Sequence, residues 1–107
     1  MTNYVLGKYL EKRSRDFLIE CGFECYSPFG QNRFSINKDI FGVFDIVAVN
    51  KDFKVFFVQV TTKSGASKRR NNIREFLPKM PLNHSCAILH KWQKKKNKWV
   101  VESEIVG

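Results

Sequence analysis

The alternation of apolar and polar positions divides the chain into two helical and five extended segments. Tyr4 to Cys21 reads as a helix. Val5, Tyr9, Phe17 and Leu18, with Leu6, Leu10 and Ser14 beside them, recur at helical spacing, and charges fill the other face. Gly22 follows the last turn, where glycine accepts the left-handed stop at little cost. Phe23 to Ser27 reads as a first strand, ended by Pro28 and Gly30, and the polar stretch Gln31 to Lys38 as a loop. Val43 to Val49 and Lys54 to Thr61 are apolar, β-branched runs joined by a turn at Asn50 to Asp52, the pattern of a hairpin. Ser64 to Ser67 is a flexible connector, and Ser67 is a suitable N-cap for a helix from Lys68 to Leu77 that Pro78 and Pro81 close. Ser85 to Lys91 and Lys98 to Val101 complete the pattern as strands, with Gln93 to Asn97 as a basic turn between them. The order is helix, three strands, helix, two strands. The simplest way to bury these runs is an α/β fold with a central mixed sheet flanked by helices.

Two polar residues interrupt the apolar strands. Asp45 breaks the run Val43 to Val49, and an unpaired carboxylate there needs a cation or hydrogen-bond donors. Gln59 breaks the next strand in the same way. By strand parity Gln59, Thr61 and, if the strand continues, Lys63 share one side, which in a hairpin lies beside Asp45. Oxygen-rich convergence of that kind suits Mg²⁺ or Mn²⁺. Glu11 has two readings: an acid that the first helix delivers to the strand ends, or a surface partner of Arg15 one turn on. Asp39 reads first as a residue that fixes the loop before the strand, and second as an extra ligand.

Composition narrows the class. With 107 residues, 43% of them hydrophobic, the chain suits one compact domain with a core and is not a disordered segment. The formal net charge of +9, from 19 basic and 10 acidic residues, calls for a polyanionic partner. Nucleic acid is the first choice. A membrane surface is disfavoured, because no basic helix with a clean apolar face is present. Lys68, Arg69 and Arg70 open the second helix, where cations oppose the macrodipole and a bound phosphate relieves the conflict. Arg74 extends this region, and Arg33 in the polar loop adds a contact. Trp92 and Trp99 bracket a lysine-rich turn. They read as a cross-strand aromatic pair, with the turn lysines free to grip phosphate. An odd cysteine count (Cys21, Cys25, Cys86), with no apolar leader in residues 1–10, reads as a reducing, cytoplasmic setting. His84, Cys86 and His90 match no zinc spacing, and Cys21 and Cys25 are one residue too far apart for a redox pair.

The order of a helix with Gly7-Lys-Tyr-Leu-Glu11, a strand with Phe44-Asp-Ile-Val-Ala48, a strand with Gln59-Val-Thr61 and a basic helix resembles the PD-(D/E)XK nucleases. Archaeal-type Holliday junction resolvases and related phage or viral nucleases are the nearest in kind, and the likeness spans roughly Gly7 to Arg74. It implies an αβββαβ restriction-endonuclease-like core with a further C-terminal strand. It also implies a metal-dependent DNA endonuclease with Mg²⁺ or Mn²⁺ held by Glu11, Asp45 and Gln59, a branched DNA substrate and a homodimer. Gln59-Val60-Thr61 stands where that family has (D/E)xK, and Thr61 supplies no ammonium. Lys63, two residues on, is the expected substitute. The rival reading keeps the fold and the basic face without the chemistry, as a nucleic-acid-binding module. An RNA substrate is a third reading.

Overall fold

The computed structural model describes residues 2–27, 39–52, 54–80 and 85–107. Helix α1 spans Asn3–Glu20, strands β1, β2 and β3 span Glu24–Tyr26, Ile46–Val49 and Val55–Thr62, helix α2 spans Ala66–Phe76, and strands β4 and β5 span Ser85–Lys95 and Lys98–Val106. The strands form one five-stranded sheet in the order β1-β2-β3-β4-β5. Only the β3–β4 pair is parallel. That is the pair whose connection contains α2, as a parallel crossover requires. The expected α/β class, mixed sheet and order of elements are all present. Pro28, Gly30, the loop from Gln31 to Lys38, Pro81 and His84 lie outside the described residues.

Helix α1 is capped at both ends. The Thr2 hydroxyl accepts from the Val5 amide. At the other end the Gly22 amide donates to Ile19 and the Phe23 amide to Leu18, a Schellman closure, with Gly22 at φ 94. The buried stripe differs from the expected one. Leu10, Ser14 and Leu18 are buried and Leu6 packs with them, whereas Val5, Tyr9 and Phe17 stay partly exposed. The sheet therefore takes the i, i+4 row that starts at Leu6, and the aromatic row beside it is left at the rim. On that face the core is Leu10, Leu18, Ile46, Ala48, Val58, Val60, Ile88 and Trp92. On the opposite face Ala66 and Ile73 of α2 pack with Phe44, Ala87, Leu89 and Val106.

Helix α2 begins earlier than Ser67. Gly65 takes the cap position, and no side chain caps the first turn. The last hairpin is longer than expected. Gln93 to Lys95 belong to β4, and the reversal is only Lys96 and Asn97, at φ 51 and 65. Positive φ at both positions is what a two-residue type I′ turn demands. In this register Trp92 faces Val101 and Trp99 faces Lys94, so the two tryptophans are diagonal and not opposite.

A polar node sits inside the α1 core. Ser14 is 0% exposed and His90 1%. The Trp92 indole N–H donates to Ser14 Oγ at 2.7 Å, and His90 Nδ1 lies 3.0 Å from the same oxygen. The hydroxyl accepts from the indole, so its own proton is best used on His90 Nδ1, with the imidazole neutral. Burial pushes the His90 pKa down to about 4, which agrees with that assignment. Ser14→Ala should lower the unfolding free energy by about 2–6 kcal/mol, since it leaves two buried groups unpaired at ~1–3 kcal/mol each. Urea denaturation measures this, and an unchanged midpoint would mean that the node does not bear on stability.

Candidate functional site

The loop before β2 brings the acids together. Phe41 and Gly42, at φ 58 and 72, reverse the chain, and the amides of Ile40 and Phe44 exchange hydrogen bonds with each other's carbonyls. A bulky residue is costly in the left-handed region. Phe41 is held there by stacking on Phe76 (centroids 5.4 Å apart) and by contact with Phe57. The Asp39 carbonyl accepts from the Gly42 amide, so Asp39 does fix this turn. Asp39 also lines a cleft.

That cleft has a volume of about 560 Å³. It is lined by Gly7 and Glu11 of α1, Asp39 and Asp45 from the segment before β2, Gln59, Thr61 and Thr62 of β3, and Lys68 and Arg69 of α2. Asp45 is 7% exposed. Its Oδ2 accepts from Gln59 Nε2 at 2.9 Å and from the Val60 amide at 2.8 Å. Both donors meet one oxygen, and Oδ1 is left for the neighbouring acids.

Burial pushes the Asp45 carboxyl up to about 8, and the charges of Glu11 and Asp39 push the same way against the Val60 amide. Burial also raises Glu11, countered by Lys8 and by a hydrogen bond with Asp45. Two carboxyls share a hydrogen bond only while one of them carries a proton. Both Asp45 and Glu11 are shifted upward, so the crowded pair resists losing its last proton. A divalent cation placed among the three would do the same work with twice the charge.

The donor chemistry fits such a cation. All three acids present hard oxygens, and Mg²⁺ characteristically takes one or two carboxylates, keeps several waters and completes its shell with substrate phosphate. Among the described residues, no three His, Cys, Asp or Glu side chains are already spaced as a cage. Glu11 and Asp45 are therefore the residues that would hold the ion in a two-carboxylate site. Gln59 lines the cleft, and its amide nitrogen donates to Asp45 and reaches the Val60 carbonyl at 3.3 Å, so that end of the amide supports Asp45.

The basic residues sort differently from expectation. Strand β3 ends at Thr62, and Lys63–Gly65 forms a 3-10 turn. The parity that would have carried Lys63 to the site is lost there. Lys63 does not line the cleft, and its charge bears instead on Glu102. A β-carbon at Gly65 would stand 2.7 Å from Thr61 Oγ1, so a larger residue there would make the threonine side chain or the turn shift. Lys68 and Arg69 do line the cleft. Arg70 does not. It forms a bidentate pair with Glu104 at 2.7 and 2.8 Å, in a network with Lys91 and Glu102 that ties α2 to the last two strands. Arg74 lies by a separate apolar hollow with Leu77 and Met80. Arg33 is outside the described residues. Lys68 as a cleft residue was foreshadowed by its place in the first turn of a helix that follows β3 almost directly.

No family model, no curated protein and no solved structure matches this chain. Among the described residues, no helix is long and apolar enough to cross a membrane.

Proposed function

We propose that the chain is a metal-dependent endodeoxyribonuclease of the PD-(D/E)XK type, with a restriction-endonuclease-like core and its active site in the cleft between α1 and α2. The observation that carries this reading is that one cleft is lined by three crowded acids (Glu11, Asp39, Asp45) and two cations (Lys68, Arg69). A phosphodiester needs both: anionic oxygens to bind a cation at the scissile group, and positive side chains to receive the backbone. The first turn of α2 holds no acid and no capping side chain, which suits a phosphate beside it. A bound Mg²⁺ or Mn²⁺ would polarise the phosphoryl oxygen and lower the pKa of an attacking water. In this reading Glu11 and Asp45 hold the ion, Gln59 and the Val60 amide orient Asp45, and Lys68 stabilises charge that develops on the phosphate. A branched DNA substrate and a homodimer with two clefts for two strands belong to the same proposal and rest on the resemblance.

The second reading, a nucleic-acid-binding module without chemistry, is favoured by Gln59 acting as a donor and by the lack of a lysine at Thr61. One experiment separates the two. Mn²⁺ is titrated calorimetrically into wild type and Asp45→Ala, and a four-way junction and a linear duplex are incubated with each protein in Mg²⁺ or Mn²⁺. The nuclease reading expects binding heat and cleavage in wild type and neither in Asp45→Ala. No cleavage with either metal, together with identical titrations, establishes the binding module.

A further inference from the structure

The hairpin formed by β4 and β5 has a surplus that the cleft does not use. Pairing of β4 with β3 ends at Thr62 opposite Trp92. Beyond that point Gln93, Lys94 and Lys95 pair only with Val100, Trp99 and Lys98. The sheet thus continues past its own edge as a two-stranded ribbon. At ~3.3 Å per residue, three residues carry the tip roughly 10 Å beyond the last β3 partner. This end of β3 is also the end that lines the cleft, through Thr61 and Thr62.

Four of the tip's five residues from Lys94 to Lys98 are lysines, and the fifth is Asn97. Lys94 lies over the Trp99 ring, its ammonium 5.7 Å from the centroid. Among the described residues no carboxylate pairs with any of the four, whereas Lys91, just inside the sheet, is paired twice. Lys95 and Lys98 are direct cross-strand partners. Like charges placed opposite one another weaken a ribbon. Lys96 adds to the cost, because it holds a left-handed φ of 51 where glycine or asparagine is favoured. A ribbon that projects from its sheet, opposes lysine to lysine and leaves them without acids is poorly arranged for its own stability. It is well arranged for a polyanion.

From this placement we infer that the β4–β5 ribbon is a second nucleic-acid contact, which seats its lysine tip against the phosphates of duplex DNA flanking the cleft. Two strands about 4.8 Å apart fit within a major groove about 12 Å wide, and ribbons are among the few elements that enter it. Phosphates on either side of the groove would separate the charges of Lys95 and Lys98 that the free protein holds together. The inference rests on the nucleic-acid part of the proposed function and not on its metal chemistry.

The test is a fluorescence-anisotropy titration of a 20-base-pair duplex with the full chain, in chelator, across a series of salt concentrations. Wild type, Lys95→Gln/Lys98→Gln and the single Lys95→Glu are compared. Each lost phosphate contact should reduce the slope of log affinity against log salt by about 0.9 and weaken binding roughly five- to tenfold at 0.1 M salt. Lys95→Glu makes the sharper demand: it should weaken DNA binding while raising the thermal midpoint, because it places opposite charges across the ribbon. Wild-type affinity and slope in both variants overturn the ribbon contact, as does a wild-type chain that binds no duplex at 0.1 M salt. If the variants instead lose binding to phosphatidylserine vesicles and keep that to DNA, the occupant is an anionic membrane and the inference is wrong. The measurement needs no metal and no cleavage. A failed nuclease reading would therefore leave the ribbon's effect in place, and a failed ribbon would leave cleavage by the double variant intact at saturating protein.

Discussion

Asp45→Asn is expected to stabilise the metal-free protein at pH 8 and to abolish its thermal response to divalent cations. The sign follows from the proton count. The Asp45 carboxyl titrates near 3.8 when free and near 8 in the folded chain, because burial and then the Glu11 and Asp39 charges oppose its ionisation. Between those values the folded chain holds a proton that the unfolded chain has released, so stability falls as pH rises through the window. His90 works in the other direction. Its pKa is lowered by burial from 6.5 to about 4, so its contribution is present above 6.5 and lost as pH falls toward 4. The two groups oppose each other in the acid range, and above pH 6.5 only the decline from the cleft acids is left. One proton is worth about 1.4 kcal/mol per pH unit, so the wild type should lose about 2 kcal/mol between pH 6.5 and 8. For a domain of this size that is roughly 10 °C in the thermal midpoint. Asparagine keeps an oxygen for Gln59 and the Val60 amide and offers an amide to Glu11 and Asp39, but it does not titrate. Its midpoint in chelator should therefore stay flat over the same range. Mn²⁺ at pH 8 should restore the wild type and leave Asp45→Asn unmoved. Differential scanning calorimetry at several pH values, with chelator or Mn²⁺, reads both effects. Parallel pH profiles for the two proteins, or equal shifts with Mn²⁺, would sink the account of the cleft as an acid cluster that a cation relieves.

What the sequence revealed of this site follows from how local each signal is. Asp45 stands out because it breaks an apolar strand, and a carboxylate in that position has to be satisfied somehow. Glu11 had two readings from the helix alone, a cleft acid or a surface partner of Arg15, and only the resemblance singled it out. The errors arise where a local rule was carried past an element's end or where the partner is remote. Parity assigned Lys63 to the cleft, but β3 stops at Thr62 and a 3-10 turn rotates the next side chain away. Arg70 belongs by sequence to the basic opening of α2, yet its carboxylate partner is 34 residues away, on the last strand. The Ser14 node is more remote still, since His90 and Trp92 lie 76 and 78 residues beyond the serine. Nothing local separates such a serine from an exposed one. Its only mark was a place in the i, i+4 row with Leu6, Leu10 and Leu18.

Lys68→Ala is expected to cut phosphodiester cleavage at saturating substrate by roughly 100- to 1,000-fold, the cost of removing one preorganised electrostatic stabiliser. Lys63→Ala should change it little. The two lysines are five residues apart in sequence, but only Lys68 lines the cleft that holds Glu11 and Asp45. In the proposed nuclease, Thr61 supplies a hydroxyl where the (D/E)xK pattern has an ammonium, and Lys68 is the lysine that lines the same cleft. The first turn of α2 also fixes where that charge sits. Ala66 is buried against the sheet, and Gly65 lets the preceding turn approach Thr61. Lys68 is thus presented from a rigid helix start and not from a mobile loop. A lysine that only held DNA would act on affinity: Lys68→Ala would then raise the half-saturating DNA concentration and leave the saturated rate nearly intact. Single-turnover cleavage of a junction or nicked duplex, measured over a range of protein concentrations with Mg²⁺ and with Mn²⁺, separates the two effects. Lys68→Arg is the companion variant, since it keeps the charge and changes its shape. Partial recovery of the rate by arginine, at unchanged DNA affinity, fits a charge placed at the reacting phosphate. A wild-type rate in Lys68→Ala alongside a large loss in Lys63→Ala would return the role to the residue that strand parity first suggested, and would require the turn at Lys63–Gly65 to open when substrate binds.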